Sequence, residues 1–559
     1  MPAVPHIGQA KIVRETGPEP ESRPRLRRDR LTWGRPRRPP VIVWLPALVI
    51  SLGMLVPLVY LVIRAMDART GLWPILFRVR TAEVMANTIF LAGSVAVGSA
   101  SLAVPLAWLT TRTDLPGRRA WSVVVVLPLV IPSYVGAMTV VAALGPRGML
   151  QGALEPLGVQ RLPELYGFFG AWLTLTLFTY PYVYLGTRAA LRGIDPAIEE
   201  AARSLGIGPW QTFFTCLLPQ LRPAVVAGAL LAALYAVSDF GVVTLLRFDV
   251  FTRVIYVQYR SSFDRSQAAA MALLLVLLAL VVLVAESRAR GRAAYYRIGG
   301  GASRHPRLVR LGRWRWLAGA YCLVVLGLAL ALPVGVLTYW LLHGVSGGEG
   351  LGGLGAATLH SIGISIVAAA AAVLAAMPVA WLAVRYAGRM ARMLERLTYL
   401  GYALPGIVVA LAFVFLGANY LTPLYQTLPL LVLAYVVRFL PQAVGSARAA
   451  LLQVSPRLEE ASRNLGRSTF GTAARITVPL SWPGIGAGAA LVFLTVMKEL
   501  PLTLLLRPTE WETLATTVWN ASGGGAYGKA AAPALLLIVV AAVPTLLLDA
   551  RWSPPRGEG

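Results

Sequence analysis

The chain has 559 residues, of which 57% are hydrophobic and only 14% charged, with a mean hydropathy of +0.66; a soluble globular domain carries about 25% charged residues, so this composition excludes one and points to a polytopic membrane protein. The formal net charge of +26 would suggest nucleic acid in a soluble protein. Here many of the arginines lie in short segments flanking apolar spans, so the positive-inside rule places them in the cytoplasm and no nucleic-acid partner is expected.

Residues 1–40 are basic and Pro-rich, with RPRLRRDRLTWGRPRR at 23–38. No apolar stretch with a small-residue cleavage site follows within signal-peptide length, so they read as a disordered cytoplasmic tail. Windows of about 20 apolar residues, enough to cross roughly 30 Å of hydrocarbon, then begin near Val41, Ala86, Ala120, Phe168, Pro223 and Ala268. These six spans make a first membrane domain over 41–286. Loop 65–83, outer by this count, holds Arg69, Arg78 and Arg80 and runs against the charge rule.

Between the fourth and fifth spans lies DPAIEEAARSLGIGPWQTFFTCLLPQLRP, residues 195–223, strongly polar at its front end. Asp195 followed by Pro196 is an N-cap with proline at the first helical position. Glu199 and Glu200 fall where the helix dipole favours negative charge, and Gly206 sits where a left-handed cap would end the helix. The spacing predicts a self-terminated helix of about ten residues with an apolar stripe of Ile198, Ala201, Ala202 and Leu205. Its small residues let another surface approach the backbone, and Pro219 bends the chain back. The next span is polar in its outer half, YAVSDFGVVTLLRFDVFTRVIYVQY, and contains Asp239 and Arg247.

The segment 287–316 is a basic cytoplasmic linker. Six further spans begin near Leu317, Leu359, Leu397, Leu428, Pro483 and Ala530. They form a second membrane domain over 317–550, followed by a tail, 551–559. Loops 344–357 and 418–430 contain no Lys or Arg, which assigns them to the outer side. The second half repeats the first. VPLAWLTTR at 104–112 matches MPVAWLAVR at 377–385, an offset of 273, and VIPSYVGAMTVV matches ALPGIVVALAFV at the same offset. From Pro181, which pairs with Pro441, the offset is 260, so the first half carries extra residues, most simply in the outer loop GPRGMLQGALEPLGVQRLPELYG. An offset spanning six crossings makes the repeats parallel, related by a pseudo-twofold axis along the membrane normal.

The second copy of the polar segment is SPRLEEASRNLGRSTFGTAARITVPLSWP, residues 455–483. Ser455 and Pro456 open its helix, Glu459, Glu460 and Ala461 follow, Leu458, Ser462 and Leu465 complete the stripe, and Gly466 ends it. One copy alone fits a juxtamembrane helix lying on the bilayer or on its own bundle. Two copies, capped alike on the cytoplasmic face, favour docking to a twofold partner.

EEAARSLG and EEASRNLG, with the prolines downstream, resemble the EAA loop of permease subunits from type I binding-protein-dependent ABC importers. The resemblance extends over nearly the whole chain beyond the tail, one motif per half, as in fused permeases. It implies an all-α integral membrane protein of about 12 transmembrane helices in two parallel pseudo-twofold halves, each a five-helix permease core plus one extra N-terminal span. It also implies that Glu199, Glu200, Ala201 and Gly206, with Glu459, Glu460, Ala461 and Gly466, couple the chain to two copies of a cytoplasmic ABC ATPase. A periplasmic solute-binding protein would deliver the substrate, and the chain would sit in the bacterial inner membrane with both termini cytoplasmic. The chain itself is expected to be no enzyme and to hold no cofactor. A phosphate-binding loop needs Lys followed by Ser or Thr, and Lys11, Lys498 and Lys529 precede Ile, Glu and Ala.

The cargo is read from SDFGVVTLLR and KELPLTLLLRP, which resemble the ferric-iron branch of fused permeases. Thiamine and phosphonate importers have related permeases and remain alternatives. At the 260 offset Asp239 aligns with Glu499 and Arg247 with Arg507. Ionisable residues within spans usually face a bundle interior or wet cavity, so both carboxylates are candidates for the translocation pathway, and they suit a hard, oxygen-preferring cation. A buried ion pair, such as Glu499 with Lys498, is the competing reading, as are span ends drawn too long. Cys216 and Cys322 are isolated, and His360, standing where the first half has Asn87, reads as a helix-packing residue; no resident metal site can be named. A proton-coupled secondary transporter could use Asp239 or Glu499 as a relay, but it would not need two coupling helices, and neither would a structural scaffold.

Overall fold

The computed structural model describes residues 39–66, 74, 77–261, 266–291, 308–346, 352–386 and 388–552. The tail 1–40 apart from its last two residues, Arg69, most of the linker 287–316 and the last tail from residue 553 therefore lie outside the described residues. Regular structure among the described residues is helical, apart from one isolated bridge between Thr113 and Val309.

The first half runs through α1 (Val41–Gly53), α2 (Val56–Met66), α3 (Val79–Arg112), α4 (Arg118–Val124), α5 (Ser133–Leu144), α6 (Phe168–Gly193), α7 (Pro196–Ser204), α8 (Leu218–Ser238), α9 (Gly241–Leu245), α10 (Phe251–Ser261) and α11 (Ser266–Gly291). The second half repeats the order: α12 (Trp314–Leu326), α13 (Leu332–Ser346), α14 (Leu354–Arg385), α15 (Arg389–Thr398), α16 (Gly406–Asn419), α17 (Leu428–Gln453), α18 (Pro456–Asn464), α19 (Val478–Met497), α20 (Pro501–Leu506), α21 (Leu514–Gly523) and α22 (Tyr527–Trp552). Eight stretches among the described residues are long and apolar enough to cross a membrane unbroken, and two bent pairs raise the number to ten. The other two expected spans correspond to α6, which is diluted by Thr and Tyr, and to α22, whose apolar part is Tyr527–Val543.

Two kinds of break interrupt the spans. The apolar runs beginning near Ala120 and Leu397 are not straight: the chain bends by 96° before α5 and by 103° before α16. The cause is a proline in each. Ile131 and Leu404 precede Pro132 and Pro405 and take extended backbone, ψ 123° and 107°, because the proline ring clashes with a helical residue before it. The spans from Pro223 and Pro483 likewise have no polar outer half. They stop at Ser238 and Met497, and the polar residues form short separate helices, α9 with α10 and α20 with α21.

Small residues set the core packing, with α3, α6 and α8 in one half and α14, α17 and α19 in the other packed together. A Cβ on Gly228 would meet the Val183 backbone at 2.7 Å, and one on Gly488 the Ser446 Cβ at 2.5 Å. The extra spans cross over: α1 packs along α14, and the Tyr60 hydroxyl of α2 donates to the Phe415 carbonyl of α16 (3.3 Å). In return α13 packs on α5, and Tyr321 of α12 donates to the Leu102 carbonyl of α3 (3.0 Å). The extra residues of the first half occupy the loop between α5 and α6, where Met149–Leu154 is a short helix without counterpart.

Candidate coupling site and central carboxylates

The helices α7 and α18 begin where the capping pattern placed them. The Ala197 amide donates to Asp195 Oδ1 (3.0 Å), whereas Ser455 holds the N-cap position without a side-chain capping bond. Gly206 and Gly466 adopt φ of +77° and +81°, conformations that L side chains resist. The following amides, Ile207 and Arg467, donate back to Ala202 and Ser462, the Schellman closure that stops each helix.

The two glutamates of each motif part company. Glu200 and Glu460 are exposed, as are Ala201 and Ala461, so they are open to a docking partner. Glu199 and Glu459 are buried. Glu199 Oε1 lies 3.0 Å from Arg112 Nη1, at the end of α3, with side chains 7% and 2% exposed. Arg112 Nη2 also donates to the Leu191 (2.6 Å) and Ile194 (3.5 Å) carbonyls that close α6. The second half repeats the arrangement: Arg385 Nη2 lies 2.7 Å from Glu459 Oε1 and reaches the Leu451 and Val454 carbonyls. One arginine in each half thus fastens the short polar helix, α7 or α18, to the ends of two long spans. Burial makes such a pair strict, because either charge left alone is costly.

The apolar stripe also divides. Ala202 and Ser462 are buried against the chain's own bundle, whereas Leu205 and Leu465 stand 78% and 83% exposed. Trp210 and Phe470, at the same offset, are 57% and 80% exposed. Exposed leucine and aromatic side chains beside Ala201 and Ala461 give each half an apolar knob of the kind that anchors a protein interface. The sequence reading missed Arg112, Arg385, Trp210 and Phe470. A signal existed, since the repeats VPLAWLTTR and MPVAWLAVR both close an apolar span on arginine, and an aromatic recurs four residues after each capping glycine.

The loops are secured by different chemistry. In the first half Trp108 packs on Trp210 and Phe213, with centroids 5.2 and 5.6 Å apart. In the second, Thr477 donates to Glu459 Oε1 (2.8 Å) and Ser462 bonds Thr472 (3.0 Å). The end of the linker also reaches the first site, where the Val309 amide donates to the Arg112 carbonyl (2.8 Å).

Asp239 and Glu499 sit where the breaks in the chain converge. Asp239 ends α8, accepts from the Val242 amide (2.8 Å) at the start of α9 and from the Ser133 hydroxyl at the start of α5. Glu499 occupies the same place between α19 and α20. The ion pair between Glu499 and Lys498 is not formed; Lys498 Nζ instead donates across the molecule to the Leu129 carbonyl (2.9 Å), just before the first-half break. Phe240 meets Trp519 of the other half at 5.2 Å. The structure therefore brings both candidate carboxylates to the interface of the halves. Arg247 and Arg507 lie in the turns after α9 and α20, Arg247 over Tyr166 (5.3 Å) and Arg507 donating to the Trp511 carbonyl (2.7 Å).

His360 Nδ1 bonds the Glu512 carbonyl (2.9 Å) just as the Asn87 amide donates to the Asp249 carbonyl (3.1 Å). His360 and Asn87 keep the 273 offset, but Glu512 and Asp249 differ by 263, so the offset of 260 holds only as far as Arg507. Asp249 also faces Arg80 at 3.7 Å, which gives one of the arginines that ran against the charge rule an acidic partner. Among the described residues no group of three or more His, Cys, Asp or Glu side chains is arranged to hold a metal ion.

Comparison with known proteins agrees with this duplication. The family described as "Binding-protein-dependent transport system inner membrane component" matches twice, at residues 101–287 and 369–550. The chain is 34% identical over 520 residues to the Fe(3+)-transport system permease protein FbpB 2 of Haemophilus influenzae, covering 92% of this chain and 99% of that protein. It is 26% identical over 496 residues to the ferric transport system permease protein FbpB of Actinobacillus pleuropneumoniae, covering 84% and 71%. The molybdenum transport system permease protein ModB of Escherichia coli is 33% identical over 141 residues, only 24% of this chain and 58% of its own length. The chain belongs to the inner membrane components of binding-protein-dependent transport systems, multi-pass membrane permeases that work with a separate ATPase and a periplasmic binding protein.

Proposed function

We propose that this chain is the fused permease of an ATP-driven importer that moves ferric iron from a periplasmic binding protein across the inner membrane. The observation that carries the iron reading is the likeness to a Fe(3+)-transport permease over nearly the full length of both proteins, against a quarter of this chain for the molybdenum relative. Thiamine and phosphonate permeases remain the competing cargo classes.

Twelve spans divide into permease domains 41–286 and 317–550, with the termini and the linker 287–316 in the cytoplasm. Two copies of the ATPase grip the chain, one on Glu200, Ala201, Leu205 and Trp210 and the other on Glu460, Ala461, Leu465 and Phe470. Glu199 and Glu459 act within the permease: through Arg112 and Arg385 they pass the movement of the coupling helices to α3 and α6, and to α14 and α17. Closure of the ATPase pair rotates the halves and opens the convergence of Asp239 and Glu499 outward; hydrolysis resets it inward. Iron is cargo here, and the chain performs no covalent chemistry. Radiolabelled iron uptake in a strain lacking this chain, with thiamine uptake measured in parallel, tests the reading. Loss of iron uptake alone supports it, and loss of thiamine uptake alone overturns it.

A further inference from the structure

We infer that the two central carboxylates are unequal, and that Glu499, with the Tyr134 phenol from the opposite half, is the contact point for a hard cation while Asp239 is structural. This inference deepens the pathway reading above and rests on it.

Both oxygens of Asp239 are committed, Oδ1 to the Val242 amide and Oδ2 to the Ser133 hydroxyl. The pair fastens the break after α8 to the break before α5. In the second half the repeat changes both members. Ser133 becomes Gly406 and Asp239 becomes Glu499, one donor lost and one methylene gained. The longer carboxylate reaches into the room left by the missing side chain: a Cβ on Gly406 would stand 2.6 Å from Glu499 Oε1. That oxygen is buried and has no hydrogen-bond partner among the described residues.

A buried acceptor without a donor is costly and rare, and an unmade bond of this kind calls for a missing occupant. The phenol oxygen of Tyr134, next to Ser133 in the first half, is also buried without a partner and lies within the field of Glu499. Lys498 is turned away to the Leu129 carbonyl. Arg438, which replaces Phe178 of the first half, donates to the Gly401 and Leu404 carbonyls and lies within the field of Glu499. Two hard oxygen atoms from opposite halves are therefore left for a ligand, and a hard cation prefers such donors. The wall beside them is uneven in the same sense. Tyr182 and Tyr235 of the first half pack with tilted rings, centroids 5.9 Å apart, where the second half has Gln442 and Thr495, joined at 3.1 Å.

The test uses the full chain with its ATPase in proteoliposomes, supplied with binding protein carrying radiolabelled ferric iron, and reads iron uptake, ATP hydrolysis and the melting temperature of the solubilised chain. Glu499→Gln is expected to lower uptake by at least about tenfold while melting temperature and stimulated hydrolysis stay near wild type, and Tyr134→Phe is expected to lower it by less. Asp239→Asn is expected to lower the melting temperature, with uptake per folded molecule within about twofold of wild type. The double variant Gly406→Ser with Glu499→Asp copies the first-half pair and is expected to fold and hydrolyse ATP but to transport no better than Glu499→Gln. Wild-type uptake in Glu499→Gln or in the double variant overturns the inference, as does Asp239→Asn abolishing uptake at unchanged stability. Absence of iron uptake by the wild-type chain sinks the ferric-iron reading itself, whereas iron uptake that survives Glu499→Gln sinks only this one.

Discussion

Truncation of Arg112 to alanine removes the counter-charge of Glu199 and the donor for the Leu191 and Ile194 carbonyls in one step. Removing one partner of a buried ion pair costs about 3–5 kcal/mol, because the other charge is left uncompensated. The helix α7 has nine residues and exposes Glu200 and Ala201 at the molecular surface, so it can swing out and let Glu199 hydrate. The penalty then appears as detachment of α7 rather than as global unfolding. At about 3 kcal/mol the attached fraction relative to the detached falls by roughly 100-fold. In proteoliposomes with the ATPase and loaded binding protein, Arg112→Ala is expected to raise the ATP hydrolysed per substrate moved by at least about tenfold, with Arg112→Lys intermediate because it keeps the charge but loses the planar fork. The corresponding loss for Arg385→Ala is expected to be smaller, since Thr477 still holds Glu459. A double-mutant cycle between Arg112→Ala and Glu199→Ala isolates the pair. Wild-type coupling in both single variants, or an interaction energy below about 0.3 kcal/mol, refutes the role assigned to the arginine.

Gly206→Leu places a branched side chain at φ +77° with open space around it, so its penalty is backbone strain of about 1–2 kcal/mol; ATPase coupling should fall, with Gly206→Asn closer to wild type, and full coupling in the leucine variant would contradict the helix-stop role. Trp210→Ala and Phe470→Ala are expected to weaken ATPase copurification at least about tenfold, with the melting temperature nearly unchanged for Phe470→Ala, which is 80% exposed, and modestly lowered for Trp210→Ala, which loses its packing on Trp108; unchanged copurification would remove them from the interface. Gly228→Val forces a side chain against the Val183 backbone and is expected to destabilise the detergent-solubilised chain by about 1–3 kcal/mol, seen as a lower melting temperature; an unchanged value would argue against close packing of α6 on α8.

The parts of the fold written in local signals were legible from sequence. Proline after Asp195 or Ser455, acidic residues in the first turn and a glycine past the end define α7 and α18, and the glycines carry the expected positive φ. The breaks at Pro132 and Pro405 were hidden because both lie inside apolar runs, and hydropathy reports depth rather than chain direction. Division of labour between Glu199 and Glu200 was hidden for a different reason. Adjacent helical residues point about 100° apart, and only the position of Arg112, contributed by a distant span, decides which one turns inward. The same holds for Asp239 and Glu499. Their alignment was visible, but the loss of the Ser133 donor at Gly406 has meaning only once α5 and α8 are seen to meet.

The most direct measurement is iron accumulation by proteoliposomes containing this chain and its ATPase, with loaded binding protein outside and ATP sealed inside. Accumulation that requires hydrolysable ATP, persists when a proton ionophore collapses the ion gradient, and is lost together with coupling in the Arg112→Ala, Arg385→Ala double variant is expected. Accumulation that proceeds without ATP and vanishes with the gradient would contradict it, and would favour the proton-coupled transporter, with Asp239 or Glu499 as its relay.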